Sequence, residues 1–274
     1  MSDNRIMISQ KADFHMHTTF CDGKNTAEEM VLKGIEIGLE VIGLSVHSPH
    51  PMNFDWCIPR DKTEAYRAEI HRLRDKYADK IRVYCGIEQD YYSGLPTEDY
   101  DYVIGSVHAV VHSETAYTDV DNSAAVARKG INTYFGGDPY AYAEAYYALV
   151  SDVVNKTNAD IIGHFDLLTK FQDCGLAFDP QNPRYIAAWQ NAADKLLQTG
   201  KPFEINTGAI SRGYRKTPYP ALDIMRYLAK HGGTAVITSD SHSVGALGTA
   251  FTLAYELAKE AGLPLVRKIG NIEF

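Results

Sequence analysis

The chain has 274 residues, 45% hydrophobic and 23% charged, with a formal net charge of −8. That composition supplies ample core for an α/β domain, and its acidity argues against sequence-independent nucleic-acid binding, which needs many Lys or Arg contacts to phosphate. The four cysteines (Cys21, Cys57, Cys85 and Cys174) form no Cys-x-x-Cys pair, "MSDNRIMISQ" lacks the apolar stretch of a signal peptide, and no long apolar run marks a membrane span. A disulfide framework, a thiolate zinc site and a membrane protein are therefore disfavoured, and a reducing cytoplasm is expected.

The chain alternates strand and helix signals. A short strand is expected in "RIMISQKAD" (5–13), running into "DFHMHTTFCDG" (13–23). Thr26 and Glu29 then have capping-box spacing before an apolar-periodic stretch that Gly38 would end. "VIGLSV" (41–46) reads as a strand, 60–79 as a charged amphipathic helix, and 81–88 and 100–108 as two further strands. The stretch 109–138 is less regular, polar and tyrosine-containing, and ends in Gly136-Gly137. Long loops in compact domains are often functional, so it reads either as a lid over a pocket or as a surface excursion. A helix of about 17 residues is expected over 139–155, followed by a strand at 159–164. A helix over 182–200 starts near Pro183 and stops at Gly200, with a strand at 202–206 after it. A helix at 220–233, a strand at 234–240 and a helix near 246–261 close the chain. Seven strands separated mostly by helices imply a parallel sheet in one α/β unit. A closed or nearly closed barrel is favoured over a doubly wound open sheet, whose Gly-rich phosphate loop is missing.

Metal-ligand side chains recur where these strands end. His15 and His17 are two apart, so both would leave one face of a strand. His47 ends the second strand, Glu88 the third, His108 the fourth, His164 the fifth, and Asp240 and His242 the seventh, with Asp22 on the first loop. In a βα barrel these ends form the active-site rim. A single histidine at a strand end is ordinary loop chemistry, and an Asp before Gly is ordinarily a turn residue. So many coincidences on one rim argue instead for a metal site, and imidazoles with carboxylates suit zinc, manganese or iron. Glu204 could point into the barrel behind the ligands, and Asp166 could orient one of them or cap a turn. His50, His71, His112 and His231 fall off the pattern.

The ordered motifs HxH, SVH, GIE, SVH, GH and SDSH, from Asp13 to His242, resemble the polymerase-and-histidinol-phosphatase (PHP) superfamily. The resemblance implies a distorted (β/α)7 TIM-like barrel with three divalent metal ions at the C-terminal ends of the strands. Carried over by position, it implies His15, His17, Glu88 and Asp240 at the first ion. Glu88 would bridge to a second, held also by His108 and His164, and Asp22, His47 and His242 would hold the third. Val46 stands where the superfamily often has an acidic residue before the histidine, so a contact behind the ligands would differ there.

"HFDLLTKF" and "EINTGAISRGYRKTPYP" resemble the histidinol-phosphate phosphatases within the superfamily. That implies a phosphate monoester as the small-molecule substrate, attacked in line by a metal-bridging hydroxide, with a role in histidine biosynthesis; Asp240 and His242 would take part in catalysis. Arg212 is the expected phosphate clamp. Arg184, Arg215, Lys216 and Lys170 are weaker candidates of the same kind. The rival readings are a PHP nuclease or nucleotide phosphoesterase, a protein-tyrosine phosphatase on this fold, and a metal-binding regulatory protein without turnover. An amidohydrolase is disfavoured because its usual strand-4 lysine and eighth-strand Asp are not found.

Overall fold

The computed structural model describes residues 11–176 and 178–274. Most of the strand expected over 5–13 therefore lies outside the described residues, and its described end is β1 (Ala12–Asp13). Then come α1 (Ala27–Ile37), β2 (Val41–Leu44), α2 (Thr63–Lys76), β3 (Arg82–Asp90) and β4 (Tyr102–Ser106). A hairpin of β5 (Ala109–Ser113) and β6 (Ala116–Asp119) leads to α3 (Ala124–Tyr134), α4 (Pro139–Val150) and α5 (Val153–Thr157). The second half holds β7 (Ile161–Ile162), α6 (Pro183–Leu197), β8 (Phe203–Asn206), α7 (Gly208–Ser211), α8 (Leu222–Lys230), β9 (Ala235–Thr238) and α9 (Phe251–Ala261). A terminal hairpin, β10 (Lys268–Ile269) and β11 (Ile272–Glu273), ends the chain.

Local chemistry sets several of these boundaries. The Thr26 hydroxyl accepts from the Glu29 amide while the Glu29 carboxylate accepts from the Thr26 amide at 2.8 Å, and Gly38 stops α1 in the left-handed region at φ 85°. The Asn182 side chain caps α6, with Pro183 in its first turn.

Seven strands pair in parallel in the order β1-β2-β3-β4-β7-β8-β9. A single parallel bridge, Met16 to Ser241, joins the last strand back to the first, with the His17 amide donating to the Ser241 carbonyl at 2.8 Å. The sheet is thus a nearly closed barrel. Most barrel-strand positions are buried, as expected for parallel strands covered by helices.

The barrel interior is divided along its axis. Toward the N-terminal ends of the strands it is apolar, built from Phe14, Val41, Tyr102, Ile104, Ile161 and Val236, with Ile269 and Ile272 of the terminal hairpin packed on the same cluster. Tyr102 fills its centre and donates its hydroxyl to the Phe14 carbonyl at 2.6 Å. Two glycines make room for that ring: a β-carbon on Gly43 would fall 2.3 Å from the Tyr102 hydroxyl, and one on Gly86 would fall 2.1 Å from its Cζ. Toward the C-terminal ends the interior is lined by imidazoles and carboxylates.

Three sequence expectations need correction. The stretch 109–138 is mostly regular: it holds the β5–β6 hairpin and α3, whose start is capped by the Ser123 hydroxyl. Gly130 lets α3 lie against β6, since a β-carbon there would meet Thr118 Cγ2 at 2.5 Å. The helix expected over 139–155 is two helices, broken where the Asp152 amide bonds Leu149 three residues back. The last helix begins at Phe251 rather than near 246.

Candidate metal centre

The barrel brings nine side chains to one rim: His15, His17, Asp22, His47, Glu88, His108, His164, Asp240 and His242. Glu88, projecting from β3, is the hub. Its Oε2 lies 2.7 Å from His47 Nδ1, 3.2 Å from His15 Nε2 and 3.6 Å from His17 Nε2. Its Oε1 lies 2.8 Å from His164 Nε2 and 3.2 Å from His108 Nε2. Asp240 Oδ1 lies 3.2 Å from His17 Nε2, and Asp22 Oδ2 lies 3.2 Å from His242 Nε2. Three overlapping groups have ligand atoms close enough for shared ions: His15, His17 and Asp240; His47, Glu88 and His108; and His17, Asp22, His47 and His242. His47 faces both Glu88 and Asp22, so it belongs geometrically to two of them.

The donor chemistry fits divalent ions. His15 Nε2, His17 Nε2, His47 Nδ1 and Glu88 Oε2 are buried and crowded against their neighbours at 2.7 to 3.2 Å, yet none makes a hydrogen bond of proper geometry. Buried polar atoms normally have partners, and such atoms converging from three strand ends make a cation cradle. Imidazole and carboxylate without thiolate match zinc, manganese or iron. Cys21 lies 3.5 Å from His17 Nδ1, and burial pushes its thiol up to about 12.

Further carboxylates hold the ligands from behind. Glu204 accepts from His15 Nδ1 at 2.5 Å and from the His164 amide at 2.6 Å. Asp90, two residues after Glu88 on the same face of β3, lies 3.1 Å from His108 Nδ1. The pairing of a ligand imidazole with a carboxylate fixes its ring orientation. Asp240 sits at φ 45°, a left-handed conformation uncommon outside glycine, which aims its carboxylate between His17 and Arg212.

Electrostatics tie the cluster together. Burial opposes the charge of Glu88, yet His47, His15 and His108 around it hold its carboxyl well below the usual range. Burial also opposes protonation of His15 and His108, but the carboxylates beside them raise both well above an ordinary imidazole. His17 is lowered by burial and by the neighbouring His242 and His47. A cation held at His15 Nε2 and His108 Nε2 would take the place of any proton on those atoms.

A cavity of about 200 Å³ opens beside the cluster, with Trp56, Asp119, Asp121, Lys170, Arg212 and Tyr214 in its wall along with Asp22, His47 and His242. Arg212 donates to Asp240 Oδ2 at 3.0 Å, and its Nε is buried without a partner. Burial opposes its charge, but Asp240 and Asp121 keep the guanidinium firmly protonated. The Lys170 ammonium bonds Asp121. Arg215 turns elsewhere, over the Tyr219 ring and against Thr169, and Lys216 is exposed.

The structure does not bring Arg184 to this cavity. Its guanidinium is exposed on α6, bonded to Glu144 Oε1 at 2.8 Å and to Asp138 Oδ2 at 2.7 Å. Asp138 caps α4 and Glu144 lies in the middle of that helix, and this tertiary pairing has no local sequence signal. Asp90 was missed from sequence although its spacing from Glu88 gives it away. Asp119 and Trp56 carried no signal: one lay in the stretch read as irregular, the other in the loop before α2.

A family model described as the PHP domain matches residues 13–208. A "Probable histidinol-phosphatase" of Deinococcus radiodurans is 31% identical over 264 residues, covering 91% of this chain and 93% of that protein. The "Histidinol-phosphatase" of Lactococcus lactis is 25% identical over 276 residues, covering 92% of each. Among solved structures, a candidate histidinol phosphatase from Listeria monocytogenes superposes with a TM-score of 0.77 at 22% identity, covering 88% of this chain and 99% of that one. The Lactococcus lactis histidinol phosphate phosphatase, solved with zinc, L-histidinol and phosphate, superposes with a TM-score of 0.62 at 20% identity, covering 95% and 97%. The structural likenesses concern the fold, and the sequence matches concern descent. With a histidine-and-carboxylate rim on a nearly closed parallel barrel, and a family match spanning most of its length, the chain belongs to the PHP domain family.

Proposed function

We propose that this chain is a metal-dependent phosphomonoesterase that hydrolyses L-histidinol phosphate to L-histidinol and phosphate, using three divalent ions. The observation that carries this reading is the joining of two features: an unsatisfied buried His–carboxylate cluster, and a small cavity whose wall holds Arg212 and Lys170. The comparisons support the choice of ester, because the sequence relatives are named for that activity and the Lactococcus structure holds L-histidinol and phosphate.

His15, His17, Glu88 and Asp240 would hold one ion, Glu88 with His108 and His164 a second, and Asp22, His47 and His242 the third. Ions held there supply Lewis acidity to a phosphoryl group and acidify a water at neutral pH. The remaining work falls to the chain itself. Arg212 lines the cavity as the phosphate clamp, and its bond to Asp240 ties the clamp to the cluster. Lys170 adds a second positive charge on the same wall. Asp240 fixes the position of Arg212 relative to His17, and His242 forms part of the cavity wall, so both act where the ester would react. The β5–β6 hairpin contributes Asp119 to that wall and, with the turn after it, closes one side of the pocket. A cavity this small suits a compact monoester better than a dinucleotide or a peptide.

Among the described residues no helix is long and apolar enough to cross a membrane. The four cysteines are free, which fits the reducing cytoplasm.

The test is chelation followed by reconstitution. Dialysis against a chelator is expected to abolish turnover of L-histidinol phosphate, and adding zinc or manganese back is expected to restore it as about three ions per chain bind. Full turnover by a metal-free chain would refute the metal-dependent reading.

A further inference from the structure

The cavity beside the cluster has a charge pattern that a phosphate site does not need. A phosphoryl group calls for cations, and Arg212 and Lys170 supply them. Three carboxylates nevertheless share the wall: Asp22, Asp119 and Asp121. Asp22 belongs to the candidate ion site with His47 and His242. Asp121 is neutralised by the Lys170 ammonium. Asp119 has no cationic side chain within ion-pairing distance among the described residues. An unpaired carboxylate beside an anion-binding site costs affinity for the anion, so its place calls for a cation on the bound molecule.

Asp119 is also held in place. It ends β6 directly across from Ala109, the residue after His108, and the next amide, of Val120, donates to the His108 carbonyl at 2.9 Å. Its Oδ1 accepts from the amides of Asp121 and Asn122 at 2.8 and 2.9 Å. The carboxylate is therefore anchored by one oxygen in a turn, and its Oδ2 has no hydrogen-bond partner among the described residues. Trp56 completes the wall. It stands against His47 at 4.7 Å and His108 at 5.2 Å between ring centroids, and is backed by Phe54 in a stacked contact at 5.0 Å. A fixed carboxylate and an indole are the two side-chain types that bind an ammonium or imidazolium group.

We infer that Asp119, with Trp56, recognises the cationic part of the leaving alcohol, so the site selects phosphate monoesters whose alcohol carries an ammonium close to the ester oxygen. This rests on the reading proposed above, since L-histidinol carries its ammonium on the carbon next to the carbinol. Asp119 is a specificity-determining residue: it binds the alcohol portion and acts on neither the phosphoryl group nor the ions.

The experiment compares the metal-loaded wild type and Asp119→Asn on L-histidinol phosphate and its deamino analogue, imidazolylpropyl phosphate. The ammonium also makes L-histidinol the better leaving group, but that effect is common to both proteins, so the change in preference between them isolates Asp119. Asn keeps an oxygen for the two turn amides, and melting curves with metal content confirm that the variant is folded and loaded. The wild type is expected to prefer the ammonium-bearing ester in kcat/KM by roughly 10- to 100-fold, the scale of a hydrogen bond to a charged group. Asp119→Asn is expected to erase most of that preference and to weaken product inhibition by L-histidinol, with less effect on inhibition by inorganic phosphate. Equal losses on both esters would mean that Asp119 serves proton transfer or folding, and would overturn the inference. A wild type that hydrolyses both esters without preference would overturn it too, while leaving the phosphomonoesterase reading intact. A wild type that hydrolyses neither ester would bring down the substrate assignment and this inference together.

Discussion

Glu204 touches the chemistry only through others. Its two oxygens accept from His15 Nδ1, the His164 amide, Asn206 Nδ2 and Thr238 Oγ1, at 2.5 to 3.0 Å. Replacing it with Gln keeps the volume but turns an amide NH2 toward one of these donors. Glu204→Gln is expected to fold and to bind metal about 10- to 100-fold more weakly. Titration of zinc into the apo protein measures this, and unchanged affinity would show that the carboxylate does not orient His15. At the same scale the sequence was informative where short-range geometry decides. Two-residue spacing puts His15 and His17 together and would have put Asp90 beside Glu88. It was uninformative where a distant element decides. Arg184 looked like a free cation near a helix start, and only the packing of α4 against α6 shows it spent on Asp138 and Glu144.

The element that carries the hub is β3. Its inward face must pass Tyr102 before it reaches Glu88, and Gly86 is what lets it pass. Gly86→Ala would drive a methyl into the tyrosine ring. Overpacking of this kind costs about 1–3 kcal/mol, occasionally more, and here the displaced backbone lies two residues from Glu88. The variant is expected to unfold at lower urea concentration and to bind metal less tightly. Denaturation and metal content check both effects, and a wild-type midpoint with full metal loading would contradict the packing described for this strand. The glycine was visible in "CGIE", but its reason was not, because Tyr102 arrives from the neighbouring strand. The 109–138 stretch failed differently. Its strands are short and half exposed, and its helix is held partly by Gly130 against Thr118, so no strong period marks either. That is why Asp119 could not be singled out in advance.

At the scale of the whole molecule, the barrel separates two tasks along one axis. One end is an apolar plug onto which the terminal hairpin packs, and the other is a rim of ligands supported by buried carboxylates. Alternating strand and helix signals made the seven-stranded parallel architecture legible, because each strand is a short buried apolar run followed by a polar group at its end. A closed or nearly closed barrel was the favoured expectation, but the contact that closes it was not legible, since it is one bridge, Met16 to Ser241, between segments that look like loops. The most direct measurement is the specificity constant of the metal-loaded protein for L-histidinol phosphate, beside p-nitrophenyl phosphate, a dinucleotide and a phosphotyrosine peptide. L-histidinol phosphate is expected to exceed the others by orders of magnitude and to lose all turnover on chelation. Slow hydrolysis of L-histidinol phosphate with fast hydrolysis of the dinucleotide or the peptide would contradict the proposed substrate and move the site to a different phosphoester.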